Sequence, residues 1–236
     1  ELTSSIDEAD IIVINTCGFI ESAKQEAIDT ILEVCDYENK KIVVMGCLVE
    51  RYQQSLEKSI PEVDFYFPIR DYDNIDELFK KLTSSTESHK MDYTKRVITT
   101  SNHSVYLRIA EGCDNKCAYC AIPLIRGKFK SRDFDSLIEE TKVLVANGAK
   151  EITLIAQDTT RYGTDFKDKD PRRLEHLLKA ISEINGVEWV RVLYLYPDEI
   201  TKEILSEIKE NNKVAKYFDI PIQHASNKML KAMNRR

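Results

Sequence analysis

Several features are missing from this sequence of 236 residues, and each absence excludes a class of protein. No apolar run reaches the length of about 18 residues that a membrane-spanning helix needs. No basic start followed by an apolar stretch indicates a signal peptide. We therefore expect a soluble, cytoplasmic protein without a membrane partner.

The sequence has fewer basic than acidic residues, and it has few cysteines. The 34 Lys and Arg residues are outnumbered by 40 Asp and Glu residues, which gives a net charge of −6 and argues against a generally basic nucleic-acid-binding surface. Six cysteines are too sparse for a disulfide scaffold. Hydrophobic residues make up 42% of the chain, which is enough for a packed core.

Two series of alternating strands and helices follow one another along the chain. The first predicts a doubly wound parallel α/β sheet, with strands at 11–16, 41–46 and 63–67 and helices at 21–35, 48–58 and 74–82. The second predicts all or part of a βα barrel. Its strands are expected at 105–110, 151–155, 188–194 and 216–220, and its helices at 133–147, 172–184, 198–210 and 226–234.

This alternation predicts two domains. Residues 1–83 form a flavodoxin-like α/β domain, 84–104 a linker rich in Ser, Thr and charge, and 105–236 a partial barrel. Residues 95–100 of the linker could pair as an edge strand. Because the sequence starts at Glu1 and stops within a predicted helix, we expect it to be part of a longer polypeptide, truncated at both ends.

Three cysteines stand together in a short polar loop directly after a predicted strand. Cys113, Cys117 and Cys120 form the pattern Cys-x3-Cys-x2-Cys. Structural zinc and ordinary electron-transfer iron–sulfur clusters take four protein ligands, and no fourth Cys or His is nearby in sequence. Three thiolates leave one coordination position open, as catalysis requires, although zinc or an adventitious thiol cluster remains an alternative.

The cysteine spacing resembles that of radical S-adenosylmethionine (SAM) enzymes. The resemblance implies that Cys113, Cys117 and Cys120 hold a 4Fe–4S cluster whose fourth iron is chelated by the amino and carboxylate groups of SAM. It also implies that Tyr119 lies near the adenine of SAM.

Other stretches resemble one branch of that family, the methylthiotransferases. They are 107–113, 122–132 and 15–20, together with Gly46-Cys47. The resemblance implies a second 4Fe–4S cluster in the amino-terminal domain, with a third ligand upstream of Glu1. It also implies a small all-β TRAM domain after the barrel, which this chain does not reach.

Cys17 and Cys47 match two ligands of that second cluster. Each follows the carboxyl end of a predicted parallel strand, the edge at which open α/β sheets bind ligands. Without the resemblance, both would be read as buried core thiols. Cys35 lies at helical spacing from Ile28 and Ile31, so we interpret it as a core thiol.

Three segments favour the branch that modifies an aspartate of the twelfth small-subunit ribosomal protein (the RimO type). They are 157–163, 193–197 and 220–226, and each follows a predicted strand. The alternative branch modifies isopentenyladenosine in tRNA (the MiaB type) and carries different sequences at the first two places.

Individual residues of these segments also have purely structural interpretations. Tyr162-Gly163 could be only a turn, Tyr194 and Tyr196 could pack inside the barrel, and His224 could be a structural histidine. The other histidines show no partner in the sequence and are expected in solvent: His89, His103 and His176.

A local basic run stands out against the negative net charge. Arg126, Lys128, Lys130 and Arg132 fall within seven residues. Such a run is most often a solvated face. Here it could instead neutralise the reduced cluster, hold the SAM carboxylate or meet ribosomal RNA.

The resemblance implies a reaction with two 4Fe–4S clusters and SAM as cofactors. Reductive cleavage of SAM forms a 5′-deoxyadenosyl radical that abstracts hydrogen from the β-carbon of the aspartate, and sulfur and a methyl group follow. The implied partners are a ribosomal protein and an external electron donor, and we expect a monomer. With a ligand of the second cluster missing, we expect activity to stop at SAM cleavage.

Two other function classes remain as alternatives. A two-cluster electron-transfer protein would need a fourth ligand for each cluster and would not respond to SAM. An RNA-binding protein is disfavoured by the net charge of −6.

Overall fold

The computed structural model describes residues 3, 5–83, 92–99, 101–167 and 170–235. The chain forms two compact units. The first comprises Glu1–Met91 with Leu124–Arg126, and the second comprises Asp92–Pro123 with Gly127–Arg236. Each unit has hydrophobic clusters of its own.

The first unit contains a parallel sheet of three strands in the order β1-β2-β3. They are β1 (Ile11–Thr16), β2 (Lys41–Gly46) and β3 (Phe65–Pro68). In the parallel register Thr16 pairs with Gly46, which pairs with Pro68, so the three strands end at one edge. The α/β class with parallel strands is confirmed.

Helices cover both faces of this sheet: α1 (Glu21–Cys35), α2 (Cys47–Ser59) and α3 (Ile75–Thr83), the last preceded by a 3-10 helix at Ile69–Asn74. Side chains of a strand alternate between faces. Ile42 and Val44 therefore pack in the cluster with α1 and α2, whereas Val43 packs with Leu78 and Leu82 of α3.

The second unit is built on a parallel sheet in the order β4-β7-β8. Its strands are β4 (Ser104–Arg108), β7 (Glu151–Ile155) and β8 (Trp189–Val192), and β5 (Ala110–Glu111) pairs antiparallel with β6 (Lys130–Ser131). The predicted series of parallel strands separated by helices is confirmed for these three strands.

Four further helices lie in this part of the chain: α5 (Phe134–Ala146), α6 (Leu174–Ser182), α7 (Lys202–Glu210) and α8 (Asn227–Ala232), with a 3-10 helix at Pro197–Glu199. The short α4 (Ile122–Arg126) precedes them and was not predicted. Helix α5 begins with an Asp133 carboxylate that accepts from the Ser136 amide and ends before Gly148, whose φ is 102°. None of the described helices is long and apolar enough to cross a membrane.

The prediction of a strand at 216–220 is wrong. Ala215 donates to the Val190 carbonyl and Leu195 to the Asp219 carbonyl, so this segment runs beside the end of β8. Tyr194 has a φ of 59°, which ends the extended backbone that follows β8. Its amide donates to the Asp219 carboxylate and not to a backbone carbonyl of a neighbouring strand. Only an isolated bridge at Val214 remains.

The predicted linker is only partly within the described residues. Residues 84–91 and residue 100 lie outside them. Residues 95–99 are not in a strand, so this part of the predicted edge strand does not form.

Candidate functional site

The loop of three cysteines begins at a glycine, Gly112, at which any other residue would force the backbone to shift. Gly112 follows β5 with a φ of 76°, and a Cβ on it would lie 2.2 Å from the Lys128 carbonyl oxygen. The next amide, of Cys113, donates to the Gly127 carbonyl at 3.2 Å. The start of the loop is therefore held against residues 127–128, which lead into β6.

Cys113 is the most enclosed of the three thiols, with 8% of its surface exposed. Burial raises the pKa of the Cys113 thiol, while hydrogen bonds from the backbone and side chain of Asn115 act in the opposite direction.

Cys117 and Cys120 are half-buried further along the loop. The Cys120 amide donates to the Cys117 carbonyl at 3.1 Å, and the Ile122 amide lies 3.5 Å from Sγ of Cys120. Tyr119, between them, is 50% exposed, and burial of its ring and hydroxyl raises its pKa.

The segment 233–235 holds the middle of the loop. The Ala118 amide donates to the Met233 carbonyl, and the Asn234 side chain donates to the Lys116 carbonyl at 2.7 Å. Arg235 is 9% exposed; its Nη1 lies 3.6 Å from Sγ of Cys117. A buried guanidinium therefore faces one of the three sulfurs.

A buried carboxylate after β7 approaches the loop from the other side. Asp158 has no exposed surface, and its Oδ2 accepts from Nδ2 of Asn115 at 3.0 Å. Oδ1 accepts from the Thr160 hydroxyl, and Nε of Arg161 lies 3.4 Å from Oδ2. Burial raises the pKa of Asp158, and the Thr160 and Asn115 hydrogen bonds lower it.

A polar cavity of about 490 Å³ lies beside the loop. This size is within the usual range for small-molecule sites. Side chains of both charges line it, among them Asp114, Asp198, Lys116, Arg161 and Arg235. Such a lining suits a ligand that carries both an ammonium and a carboxylate group.

The donor set of the loop fits an iron–sulfur cluster better than a single metal ion. Within 3, 5–83, 92–99, 101–167 and 170–235, no three Cys, His, Asp or Glu side chains converge so as to hold one ion. A cluster does not need such convergence, because its thiolates bind different iron atoms. Three thiols on one loop, with N–H donors at the sulfurs of Cys117 and Cys120, match that requirement.

In the first unit, two glycines bring Cys17 and Cys47 to one edge of the sheet. Cys17 follows β1, and Cys47 is the first residue of α2 after β2. A Cβ on Gly18 would lie 2.5 Å from the Cys47 carbonyl oxygen, and one on Gly46 would lie 2.5 Å from the Thr16 carbonyl oxygen. The two cysteine-bearing turns can approach this closely only with glycine at both places.

The surroundings of the remaining thiols differ. Cys47 is the first residue of α2, and Nη2 of Arg126, which belongs to the same unit, lies 3.2 Å from its sulfur. Cys17 is exposed. Cys35 packs against the cluster of α1 and α2, and burial raises the pKa of its thiol.

The tyrosines singled out from the sequence have different environments. Tyr162 is fully buried, donates to the Arg132 carbonyl and packs edge-on against Phe166, so its role is structural. Tyr194 is 51% exposed, which is not the packing position considered for it. Tyr196 lies under the Arg235 guanidinium, 4.2 Å from ring centroid to Cζ.

The histidines take part in local contacts. His224 accepts from the Ser226 amide at 2.8 Å, and His176 accepts from the Arg173 amide at the start of α6. His103 is exposed, and its carbonyl accepts from the Lys150 amide. His89 lies outside the described residues.

The basic run does not act as one surface. Arg132 pairs with the buried Glu140 at 2.7 Å and stacks on Tyr93, so it stabilises the core. Lys128 and Lys130 are exposed.

Sequence reasoning gave no role to Asn115, Asp158 or Arg235. The signal for Asp158 was present, since an acidic residue at the end of a strand that is buried on both faces needs a partner. Nothing in the sequence, however, indicated that the partner lies 43 residues earlier.

Comparison with known proteins identifies both parts of the chain. Residues 1–68 match a model described as "Uncharacterized protein family UPF0004". Residues 107–236, more than half of the chain, match the model of the radical SAM superfamily.

Curated relatives are similar along the whole chain. The chain is 48% identical over 246 residues to "Ribosomal protein uS12 methylthiotransferase RimO" of Clostridium tetani and 49% identical over 249 residues to the protein of that name in Clostridium kluyveri. Each alignment covers 100% of this chain and 55% of the relative. The chain therefore spans about half the length of these relatives.

Solved structures share the fold at low sequence identity. The radical SAM methyltransferase TsrM from Kitasatospora setae, with cobalamin and a [4Fe-4S] cluster bound, matches with a TM-score of 0.71 and 11% identity, over 96% of this chain and 52% of that one. The cobalamin-dependent SAM radical enzyme OxsB matches with a TM-score of 0.63 and 13% identity, over 95% of this chain and 37% of that one.

Proposed function

The chain belongs to the radical SAM superfamily, and from this premise we propose that it is part of a methylthiotransferase for ribosomal protein uS12. The reaction adds a methylthio group to the β-carbon of an aspartate. The observation that carries the proposal is the 48–49% identity along the whole chain to relatives of that name. Because the chain spans about half of their length, their activity, substrate and partners are part of the proposal.

We assign the SAM-binding 4Fe–4S cluster to Cys113, Cys117 and Cys120. When bound, this cluster and SAM supply the one-electron chemistry that activates an unreactive C–H bond. The chain's own contribution is to hold the three sulfurs on a loop fixed at Gly112. Arg235 adds a donor to the sulfur of Cys117, which favours the more negative, reduced state of a cluster.

Tyr119 is assigned to the adenine of SAM. Its exposed ring follows Cys117 and precedes Cys120, so it is available to a planar base beside the cluster. The adjacent cavity of about 490 Å³, with charges of both signs, suits the amino-acid portion of SAM.

A second 4Fe–4S cluster is assigned to Cys17 and Cys47, which need a further ligand. Two observations support this assignment: the two cysteines follow strands that end at the same edge of the sheet, and the two turns that carry them approach closely. We also propose the domain division 1–83, 84–104 and 105–236, in which each cluster belongs to one domain.

The partners follow from the proposed reaction. Reduction of the clusters needs an external electron donor, and the acceptor is uS12, free or on the ribosome. We place the protein in the cytoplasm with that substrate, and propose that it acts as a monomer.

The experiment uses a uS12 peptide whose target aspartate carries deuterium at the β-carbon. The chain is reconstituted anaerobically, reduced and supplied with SAM, and the 5′-deoxyadenosine formed is examined by mass spectrometry. We expect deuterium in 5′-deoxyadenosine with this peptide, and none with a peptide deuterated at another residue.

A tRNA containing isopentenyladenosine serves as the competing substrate. This tRNA carries deuterium at the carbon that the tRNA-modifying branch modifies. Deuterium-free 5′-deoxyadenosine from the peptide, together with deuterium-labelled 5′-deoxyadenosine from the tRNA, would overturn the proposal in favour of the tRNA-modifying branch.

A further inference from the structure

Arg235, beside the cysteine loop, is a buried arginine without a carboxylate partner. It is 9% exposed, and within the part of the chain that the structure describes no Asp or Glu forms an ion pair with it. Its Nη1 lies 3.6 Å from Sγ of Cys117, and its Nη2 donates to the Pro221 carbonyl at 2.5 Å. A buried charge is costly unless the groups around it compensate for the lost water. The groups that face Arg235 must therefore supply this compensation.

The ring of Tyr196 is one of these groups. The Arg235 guanidinium lies over it, with Cζ 4.2 Å from the ring centroid. The face of an aromatic ring attracts a cation, and the attraction grows when the pair is withdrawn from water. Stacking also fixes the plane of the guanidinium. In that plane Nη1 reaches the Cys117 sulfur while Nη2 reaches the Pro221 carbonyl.

Tyr196 itself is anchored through its backbone. Its amide donates to the hydroxyl of the buried Thr160 at 3.0 Å, and its carbonyl accepts from the Glu199 amide at 3.2 Å. Tyr196 belongs to the segment 193–197, to which the proposed function gives no role. The ring is therefore a fixed surface on which a mobile side chain such as that of arginine can be held.

Arg235 also ends the segment that supports the middle of the loop. Its amide donates to the Leu230 carbonyl at 2.8 Å, and the Ala118 amide donates to the Met233 carbonyl at 3.0 Å. These residues, like Tyr196, belong to the second unit. Release of the guanidinium should therefore loosen the hydrogen bond between the loop and residue 233.

We propose that Tyr196 is a positioning residue whose ring holds the Arg235 guanidinium at the sulfur of Cys117. The inference rests on the proposed function, in which Cys117 is a cluster ligand. Net charge and hydrogen bonds at the ligand sulfurs are among the determinants of iron–sulfur reduction potentials. Tyr196 therefore acts on the cluster through Arg235, and it does so with its ring rather than with its hydroxyl.

The test measures the effect of Arg235→Gln on the midpoint potential of the reconstituted cluster in four backgrounds. In the wild type, loss of the positive donor shifts the potential to a more negative value. In Tyr196→Leu the same substitution has little further effect, because the guanidinium is already released. In Tyr196→Phe, which keeps a ring, the shift remains. It also remains in the matched control Tyr217→Leu, which removes the ring under another guanidinium of the same unit, that of Arg191.

The comparison within each background cancels the direct effect of changing residue 196. An equal shift in all four backgrounds would show that Tyr196 does not position Arg235, and no shift in the wild type would show that Arg235 does not act on the cluster. Loss of the shift in Tyr196→Phe would assign the role to the hydroxyl. Each of these results overturns the inference. A cluster that ignores SAM in the wild type would instead contradict the proposed function.

A second readout requires no cluster. In the apo chain, hydrogen exchange of the Ala118 amide should accelerate in Arg235→Gln and in Tyr196→Leu, but not in Tyr196→Phe or Tyr217→Leu. Unchanged exchange in the first two variants would also overturn the inference. If Tyr196→Leu does not fold, Tyr196→Met, whose flexible side chain fills the space without a ring, takes its place with the same expectations.

Discussion

At the scale of single residues, the second unit contains a buried carboxylate whose charge is balanced by two guanidinium groups. Glu140 is 1% exposed, with Arg132 at 2.7 Å and Arg96 at 3.3 Å. A buried charge that loses its partner is far more costly than the pair is stabilising. Arg132, although part of the basic run 126–132, is therefore needed in the core as the partner of Glu140.

Replacing Arg132 by Met should therefore lower the free energy of unfolding by about 3 kcal/mol, because Glu140 remains charged with a weaker partner. Urea denaturation measures the change. The double variant Arg132→Met with Glu140→Leu should recover most of the loss, since neither charge is then buried. A double variant as unstable as the single one contradicts this interpretation.

Tyr66 makes the stability of the first unit depend on pH in the alkaline range. Its hydroxyl donates to the Ile60 carbonyl at 2.8 Å. Burial, followed by the charges of Cys35 and Glu62, raises the pKa of Tyr66 to about 12. An unfolded tyrosine ionises near 10, so the unfolded state releases its proton first.

Stability contributed by Tyr66 should thus be fully present below pH 10 and disappear as the pH rises from 10 to about 12. Tyr66→Phe should lose about 1 kcal/mol at neutral pH with its hydrogen bond, and show a shallower decline over that range. Urea midpoints measured at several pH values test this. Parallel curves for the two proteins would exclude Tyr66 as the titrating group.

At the scale of elements, the turns after β1 and β2 depend on glycine. Gly46 has a φ of 105°, and a Cβ there would also lie 2.5 Å from the Thr16 carbonyl oxygen. Gly148, at the end of α5, has a similar φ of 102° but open space around it. A substitution at Gly148 therefore measures backbone strain alone, whereas one at Gly46 measures backbone strain together with steric overlap.

Gly148→Ala should cost about 1 kcal/mol, the strain of a left-handed alanine. Gly46→Ala should cost at least twice as much, because the β1 and β2 ends must also move apart. Denaturation of the two variants gives the comparison. Equal losses would mean that the close approach at Gly46 is not under steric constraint.

The strands β1 and β2 could be predicted from sequence to the residue, because each is a short run rich in Ile and Val, as is typical of parallel strands. The absence of a strand at 216–220 could not be predicted, because it depends on the left-handed backbone of Tyr194, which ends the extended conformation after the neighbouring strand β8. The cysteine loop was found from spacing alone. Its supports, Asn115 with Asp158 and Cys117 with Arg235, join residues 43 and 118 positions apart, which only the fold brings together.

At the scale of the whole molecule, each unit presents thiols where a strand ends. Cys17 and Cys47 follow β1 and β2 in the first unit, and the three-cysteine loop follows β5 in the second. Ligands bind at this edge of parallel α/β sheets because the loops there are free to carry chemistry. The chain's architecture is therefore compatible with the two cofactor sites that we propose, one in each unit.

The most direct test of this account is the electron paramagnetic resonance spectrum of the anaerobically reconstituted, reduced chain, recorded with and without SAM. We expect a cluster signal that changes on addition of SAM, and the SAM-dependent change disappears in Cys113→Ala, while Cys35→Ala retains it. A signal that is indifferent to SAM would contradict the radical SAM assignment of the loop and favour an electron carrier.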